Sequence, residues 1–493
     1  MNSLIKGKAL EELVRQPYEL KSIHELRAWN LGPDAPPFVE PGEGGPGGPG
    51  GPDGPGGPGG PGGPGGPGGP GNMPIGPSGP AIHIRDGKYC PDDSLGQILY
   101  GGKVTDTKGE NVRVVTYSGL AGGVLVEGAG SNFTLENSTI SLSGSGGGPG
   151  GCNAGAGVDK GAHLTLKNVQ IIANGGHAAT SCGGASVLRV YDSVLAAQGS
   201  PFGEDAPEGS PKMGPPAPLE IQGNNRAHCT VEKSYSYFYN STIITDGWAA
   251  LSTDMAKGFV YLEANDCRVV ATKSGYGAYA DYGCHDMFRR CRFDTGCMAF
   301  ICAGQADGTF EECDCDCGTY FALVHCVMGL PVEVGEVTVN GGRIHTKSAA
   351  VIVKSQNAIL DFNGVDLSSE AGVLVHTIHN DDPDTTQVRG LKVYGIHIRL
   401  TDMDVAGDII HEDDEREARV YLTGTQYSGA IRNAGLTMDC GSKWVATGDS
   451  DVRLGCDIDL AQIDAPAGVT IRAEAGQSGE YTLASGGRLI LSE

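Results

Sequence analysis

The chain has 493 residues, 80 of them glycine and only 6% aromatic, and it carries a formal net charge of −24. That charge repels phosphate backbones and anionic bilayers at long range, which counts against nucleic acid and membrane surfaces as partners. It also opposes a polyuronate substrate unless a bound cation intervenes.

The first residues include Glu11, Glu12 and Arg15 and never develop the apolar core of a secretory signal, and no apolar run reaches the length of a membrane span. Fifteen cysteines at irregular spacing in such a chain read as thiols rather than a disulfide framework, so the expected compartment is the cytoplasm.

Residues 1–35 carry Leu10, Leu13, Val14, Leu20, Ile23, Leu26 and Trp29 at roughly helical spacing interrupted by Pro17, which predicts a short helical segment that caps the following domain. Residues 36–81 are dominated by Gly-Pro-Gly triplets changed once, at Asp53. Glycine at every third place meets the collagen rule, but the other places hold glycine where imino acids would stabilise a triple helix. A polyproline-II spacer leads, ahead of a self-associating bundle and a collagen-like trimer that would make the chain a homo-oligomer.

From residue 82 to 493 the chain reads as one β-domain. An apolar column recurs at Ile140, Ile171, Leu195, Ile243, Val269, Phe293, Cys315, Ile344 and Leu367, preceded by turn residues such as Asn137, Asn168, Asp192, Asn240 and Asp266. The steps of 31, 24, 48, 26, 24, 22, 29 and 23 residues mean one coil per repeat, with 48 as two coils carrying an insertion. The proline-rich residues 199–218 interrupt that coil and are a candidate lid. Cys267, Cys291 and Cys313 share the parity of the apolar column, so they are expected in the core as small hydrophobes. The glycine-rich loop around Cys152 lacks the ending of a phosphate loop.

These repeats resemble the pectate-lyase-like superfamily of right-handed parallel β-helices over roughly residues 85 to 490. The resemblance implies an all-β, single-stranded right-handed solenoid. Pectate lyases use calcium-binding carboxylates with an Arg or Lys base, and polygalacturonase-like hydrolases use aspartates and a Gly-His-Gly turn. Neither set is present, and no pair of carboxylates faces across the strip as ordinary glycoside hydrolysis requires.

A second column ends six short runs: Thr253, Asp281, Cys302, His325, Lys354 and His376. Alternation places Ser252, Ala280, Ile301, Val324, Val353 and Val375 inward and this polar column outward. The next outward places, among them Tyr279, Phe300 and Leu323, would then floor a groove with Thr253 at its end. Desolvation there would tune an acid and a base.

The expected activity is a cofactor-independent lyase or isomerase on a sugar-like or polyhydroxylated small molecule. Lys354 or His325 is the base, His376 the acid, Asp281 an orienting group, and Cys302, stacked over His325, a nucleophile or a wall. A divalent ion held by Asp281, Cys302 and His325 is the less favoured arrangement. The competing expectation is a noncatalytic, adhesin-like solenoid with an oligomerisation face through Leu323 and Phe300.

Overall fold

A computed structural model describes residues 79–93, 97–116, 122–143, 154–174, 177–198, 226–245, 249–254, 259–272, 275–325, 334–379, 395–455 and 458–493. The expected N-terminal helix and almost all of the Gly-Pro-Gly stretch lie outside these residues, as do the proline-rich residues 199–218 and most of the glycine-rich loop. The chain divides into two compact units, the first ending at Tyr279 with Gly283–His285, the second comprising Ala280–Tyr282 and Asp286–Glu493.

The described residues of each unit form mainly short strands, most of them paired in parallel with the equivalent strand of the neighbouring coil, as a β-solenoid requires. In the first unit a coil runs through Arg226–Val231, Ser234–Tyr239 and Thr242–Thr245, and the next through Ala249–Asp254, Val260–Asn265 and Arg268–Ala271. In the second unit Met298–Ala303, Asp307–Glu311 and Asp314–Cys317 are followed by Ala322–His325, Val334–Asn340 and Arg343–Thr346. The three strands of each coil are called first, second and third below.

The corner between second and third strands explains why this column is regular. Ile140 pairs with Ile171, Ile171 with Leu195, Leu195 with Ile243 and Ile243 with Val269 in the first unit. Cys315 pairs with Phe293 and Ile344, and Ile344 with Leu367, in the second. Through Tyr427 the step from the second-strand core residue is five, as from Phe238 to Ile243, Phe310 to Cys315 and Leu400 to Val405, and it lengthens to six from Met438 to Trp444.

The corner is made by one residue in the left-handed region: Asn137, Asn168, Asp192, Asn240 and Asp266 have φ between 45° and 53°. That conformation costs most side chains about 1–2 kcal/mol, and Asn and Asp tolerate it best. Neighbouring corners also bond through their side chains, Asn168 Nδ2 donating to Asn137 Oδ1 and Asn240 Nδ2 to Asp192 Oδ1, both at 2.7 Å.

The residue after the corner is small and donates back across it. Ser138, Ser193 and Ser241 hydroxyls bond the carbonyls of Glu136, Tyr191 and Tyr239. Cys267, Cys291 and Cys313 occupy the same place, buried as expected, and their thiols reach the carbonyls of Asn265, Arg289 and Glu311 at 3.2–3.5 Å. These thiols are therefore stand-ins for serine rather than only apolar filling.

Antiparallel pairs mark the first coils of the first unit and the last of the second. Pro80–Arg85 pairs with Lys88–Tyr89, Gln97–Tyr100 with Arg113–Thr116, and Gly479–Thr482 with Arg488–Ser492. Such hairpins occupy edge hydrogen bonds that another chain could otherwise extend. In the second unit's core, Phe310 gathers Phe288, Phe293, Phe300 and Phe321 within 4.8–5.5 Å between ring centres.

Candidate functional site

In the second unit the core cluster decides which way the first strands face. Phe300 packs on Phe288 and Phe310, and the Cys302 thiol bonds the carbonyl of Ala306. Both residues therefore point inward. Their register partners are Ala322 and Val324, which pair in turn with Val351 and Val353. Alternation puts Ile301 and Ala303, Leu323 and His325, and Ile352 and Lys354 on the outward face.

Three expectations change here. Cys302 does not stack on His325, because Ala303 is the residue in register with it. Phe300 is a core residue and not part of a groove floor, since the aromatic cluster takes the largest side chain of its strand. His376 pairs with Ile352 rather than Lys354, two places from its expected partner, although it stays on the same outward face.

The structure thus brings His325 and Lys354 together as in-register neighbours, with His376 diagonal to Lys354 and hydrogen-bonded to Glu412 at 2.9 Å. The strip is closed rather than open: Leu323 is 2% exposed, His325 4%, Ile352 4% and Lys354 2%.

Within this enclosure the His325 Nε2 atom has no hydrogen-bond partner. Burial, and then the neighbouring Lys354, push the imidazole down to about 3. The ring is therefore neutral, with one of its nitrogens buried and unbonded. Leaving such an atom unsatisfied costs about 1–3 kcal/mol, which a bound hydroxyl or amide would recover. Burial likewise pushes the Cys302 thiol up, so it is not a thiolate nucleophile at neutral pH.

The first unit holds a buried polar cluster at its first strands that alternation did not reveal. Thr180, Cys229 and Ser252 form one outward ladder. Arg226 Nη2 stands 2.8 Å from Asp254 Oδ2, both side chains fully buried. The Arg226 carbonyl meets His177 Nδ1 at 3.2 Å, and its guanidinium lies 3.8 Å from the Cys229 sulfur. Burial works against the Arg226 charge, but Asp254 holds its pKa above the ordinary value. Burial pushes His177 down to about 4 and Cys229 up to about 12.

Thr253 belongs to the inward face instead. It pairs with Thr230, whose hydroxyl bonds Ser236 beside His228 in the core, and its own hydroxyl donates to the Tyr279 carbonyl. Tyr279 is buried against the Tyr276 ring. A charged residue at each end of neighbouring strands, Arg226 and Asp254, was the available signal for this cluster.

Asp281 is also buried, its carboxylate accepting the Tyr282 N–H at 2.8 Å. Asp281, Cys302 and His325 do not converge on an ion. Among the described residues, the group of metal-ligating side chains that does converge is His379, Asp413 and Asp414. A shallow hollow on the last coils is lined by Asp451, Arg453, Arg472 and Glu474, apart from the His325 pair. Among the described residues no helix is long and apolar enough to cross a membrane.

No protein-family model matches the chain, and neither the curated proteins nor the solved structures contain a match to it.

Proposed function

We propose that His325 and Lys354 form the acid–base centre of a lyase or isomerase that needs no cofactor and acts on a sugar-like or polyhydroxylated small molecule. The scaffold in this reading is a right-handed parallel β-helix of the pectate-lyase-like kind, the hand that parallel crossovers adopt almost without exception. The observation that supports it is the enclosed, unpartnered Nε2 of His325 beside Lys354.

A neutral imidazole and an amine at one strand spacing can share the work of proton transfer. One takes the proton from the carbon next to a carbonyl. The released electron pair forms a double bond as a β-oxygen departs, or returns to a proton on the neighbouring carbon. His376, one coil further on, supplies a proton to the leaving oxygen, while Glu412 orients its ring. Neither route needs an oxidant or reductant.

The test replaces His325 by Gln and Lys354 by Met and measures turnover of polyhydroxylated aldehydes, ketones and acids that the unaltered protein converts. Each change is expected to lower kcat by about a hundredfold or more with the thermal midpoint preserved. Full turnover in both variants overturns the assignment.

A second reading, an adhesin-like solenoid that associates through an exposed face, draws on a different place. Phe259 is 50% exposed and stacks on His285 at 4.7 Å, with Tyr235 and Tyr261 beside it. On that reading Phe259→Asp lowers the mass in solution, and an unchanged mass rejects it. Phe300 is no longer a useful probe, because it is in the core.

A further inference from the structure

We propose that His379, Asp413 and Asp414 form a binding site for a divalent transition-metal ion. A ring nitrogen of His379 and one carboxylate oxygen from each aspartate lie within 4.8 Å of one another. Ligands bonded at about 2.0–2.2 Å to a single ion are necessarily this close.

The three residues come from distant parts of the sequence, and the fold assembles them through one strand pairing. Thr377 lies in register with His411, and the Glu412 N–H continues the ladder to the Thr377 carbonyl at 2.8 Å. That pairing brings the residue two beyond Thr377 level with the residue two beyond His411. His411 is locked from both sides: Nε2 donates to the Arg416 carbonyl at 2.9 Å, so Nδ1 accepts from the Thr377 hydroxyl. The turn that follows is therefore held against the end of the strand.

Two observations separate this group from an ordinary acidic turn. First, Nδ1 of His379 is shielded from solvent and has no hydrogen-bond partner, so the imidazole offers a lone pair or a proton that none of the described residues uses. Second, Asp413 is 1% exposed yet is placed by two bonds, Oδ2 from Arg416 Nη1 at 2.8 Å and Oδ1 from the Glu415 N–H at 3.1 Å. Donors that fix a carboxylate from behind are the usual support of a metal ligand, because they orient it while its remaining lone pairs stay available. Asp414 is exposed and gives the ion its route in.

The donor set selects the ion. One imidazole with two carboxylates suits Mn²⁺, Co²⁺ or Zn²⁺, whereas Ca²⁺ and Mg²⁺ prefer all-oxygen shells. Three protein ligands leave positions open for water or for an oxygen of a small molecule. Because His376 and Glu412 belong to the same two segments, the site would fix the rim of the outward face. The proposal does not depend on the acid–base reading and is tested by binding alone.

Mn²⁺ is the probe, since it favours nitrogen and oxygen over the many thiols of this chain. The full-length protein is stripped with chelator, desalted and titrated with MnCl₂, and the six-line electron paramagnetic resonance signal of free Mn²⁺ is followed. One ion per chain should bind, and Asp414→Asn and His379→Ala should each weaken binding by about tenfold or more with an unchanged circular dichroism spectrum. Asp414 is exposed, so its substitution leaves the fold intact and keeps the test decisive even if His379→Ala unfolds. Absence of binding at millimolar Mn²⁺, equal affinity in the Asp414→Asn variant, or displacement of Mn²⁺ by an equal concentration of Ca²⁺ each overturns the proposal.

Discussion

Each unit buries a polar cluster beside its first strands, yet the charges of the two clusters are arranged in opposite ways. In the first unit Arg226 and Asp254 neutralise each other at 2.8 Å. In the second, His325 and Lys354 lie in register and the buried Nε2 atom of His325 has no hydrogen-bond partner. Burial of polar groups is thus common to both clusters. What distinguishes scaffold from candidate site is whether the buried group already has its counterpart. The charges of the ion pair are balanced within the protein, whereas a histidine held neutral by burial beside a lysine waits for something brought from outside.

Breaking the ion pair should give the largest effect. Asp254→Ala leaves the Arg226 guanidinium buried without its counter-charge and should destabilise the protein by about 3–5 kcal/mol, read as a lowered urea midpoint. The paired change Arg226→Met with Asp254→Leu should recover most of that loss, because well-packed apolar residues often replace a buried ion pair at little cost. An Asp254→Ala protein as stable as the original would remove the distinction between the clusters.

His325→Leu should behave in the reverse sense. At pH 8 it should change stability by no more than about 1 kcal/mol, since it deletes an unsatisfied atom rather than a bonded one. Its signature lies in the pH dependence. The folded-state value of about 3 is below the ordinary 6.5, so the unfolded chain binds the extra proton. The contribution of His325 is then fully present above pH 6.5 and is lost progressively between about pH 6.5 and 3, at up to about 1.4 kcal/mol per pH unit. His177 and His228, driven down to about 4 and about 3, act in the same direction. Urea midpoints between pH 4 and 8 should therefore fall less steeply in His325→Leu than in the original, by the equivalent of one proton. Parallel curves would show that this imidazole is not held neutral.

The different fates of the two columns read from the sequence have a physical cause. The third-strand column was legible because its corner is a tight left-handed turn, Asn or Asp in the first unit and Arg290, Glu312, Gly364 or Asp402 in the second, at a constant offset from the core residue before it as far as Tyr427. The first-strand column was less so. Its strands are buried on both faces, as the unbroken burial of Met298–Ala303 and Val351–Lys354 illustrates, so they lack the polar alternation that sets register. Aligning Ala-Phe-Ile-Cys with Ala-Leu-Val-His by similarity slipped the first run by one place and turned Cys302 the wrong way. His325 and Lys354 survived because their two runs have the same length and both end in a long polar side chain. The Arg226 cluster escaped because it joins the start of one strand to the end of the next, a diagonal that no column displays.

The constant corner has an evolutionary consequence. From Leu135 to Tyr427 the described corners between second and third strands keep one length, five residues from core residue to core residue, while the coils themselves differ in length. That corner serves as a datum line from which the rest of each turn is measured. Chain can therefore be added or removed beside the first strand without shifting the register of the turns before or after it. New loops can be sampled one at a time at that flank, and a stack of this construction can diversify what it presents while inheriting its frame unchanged.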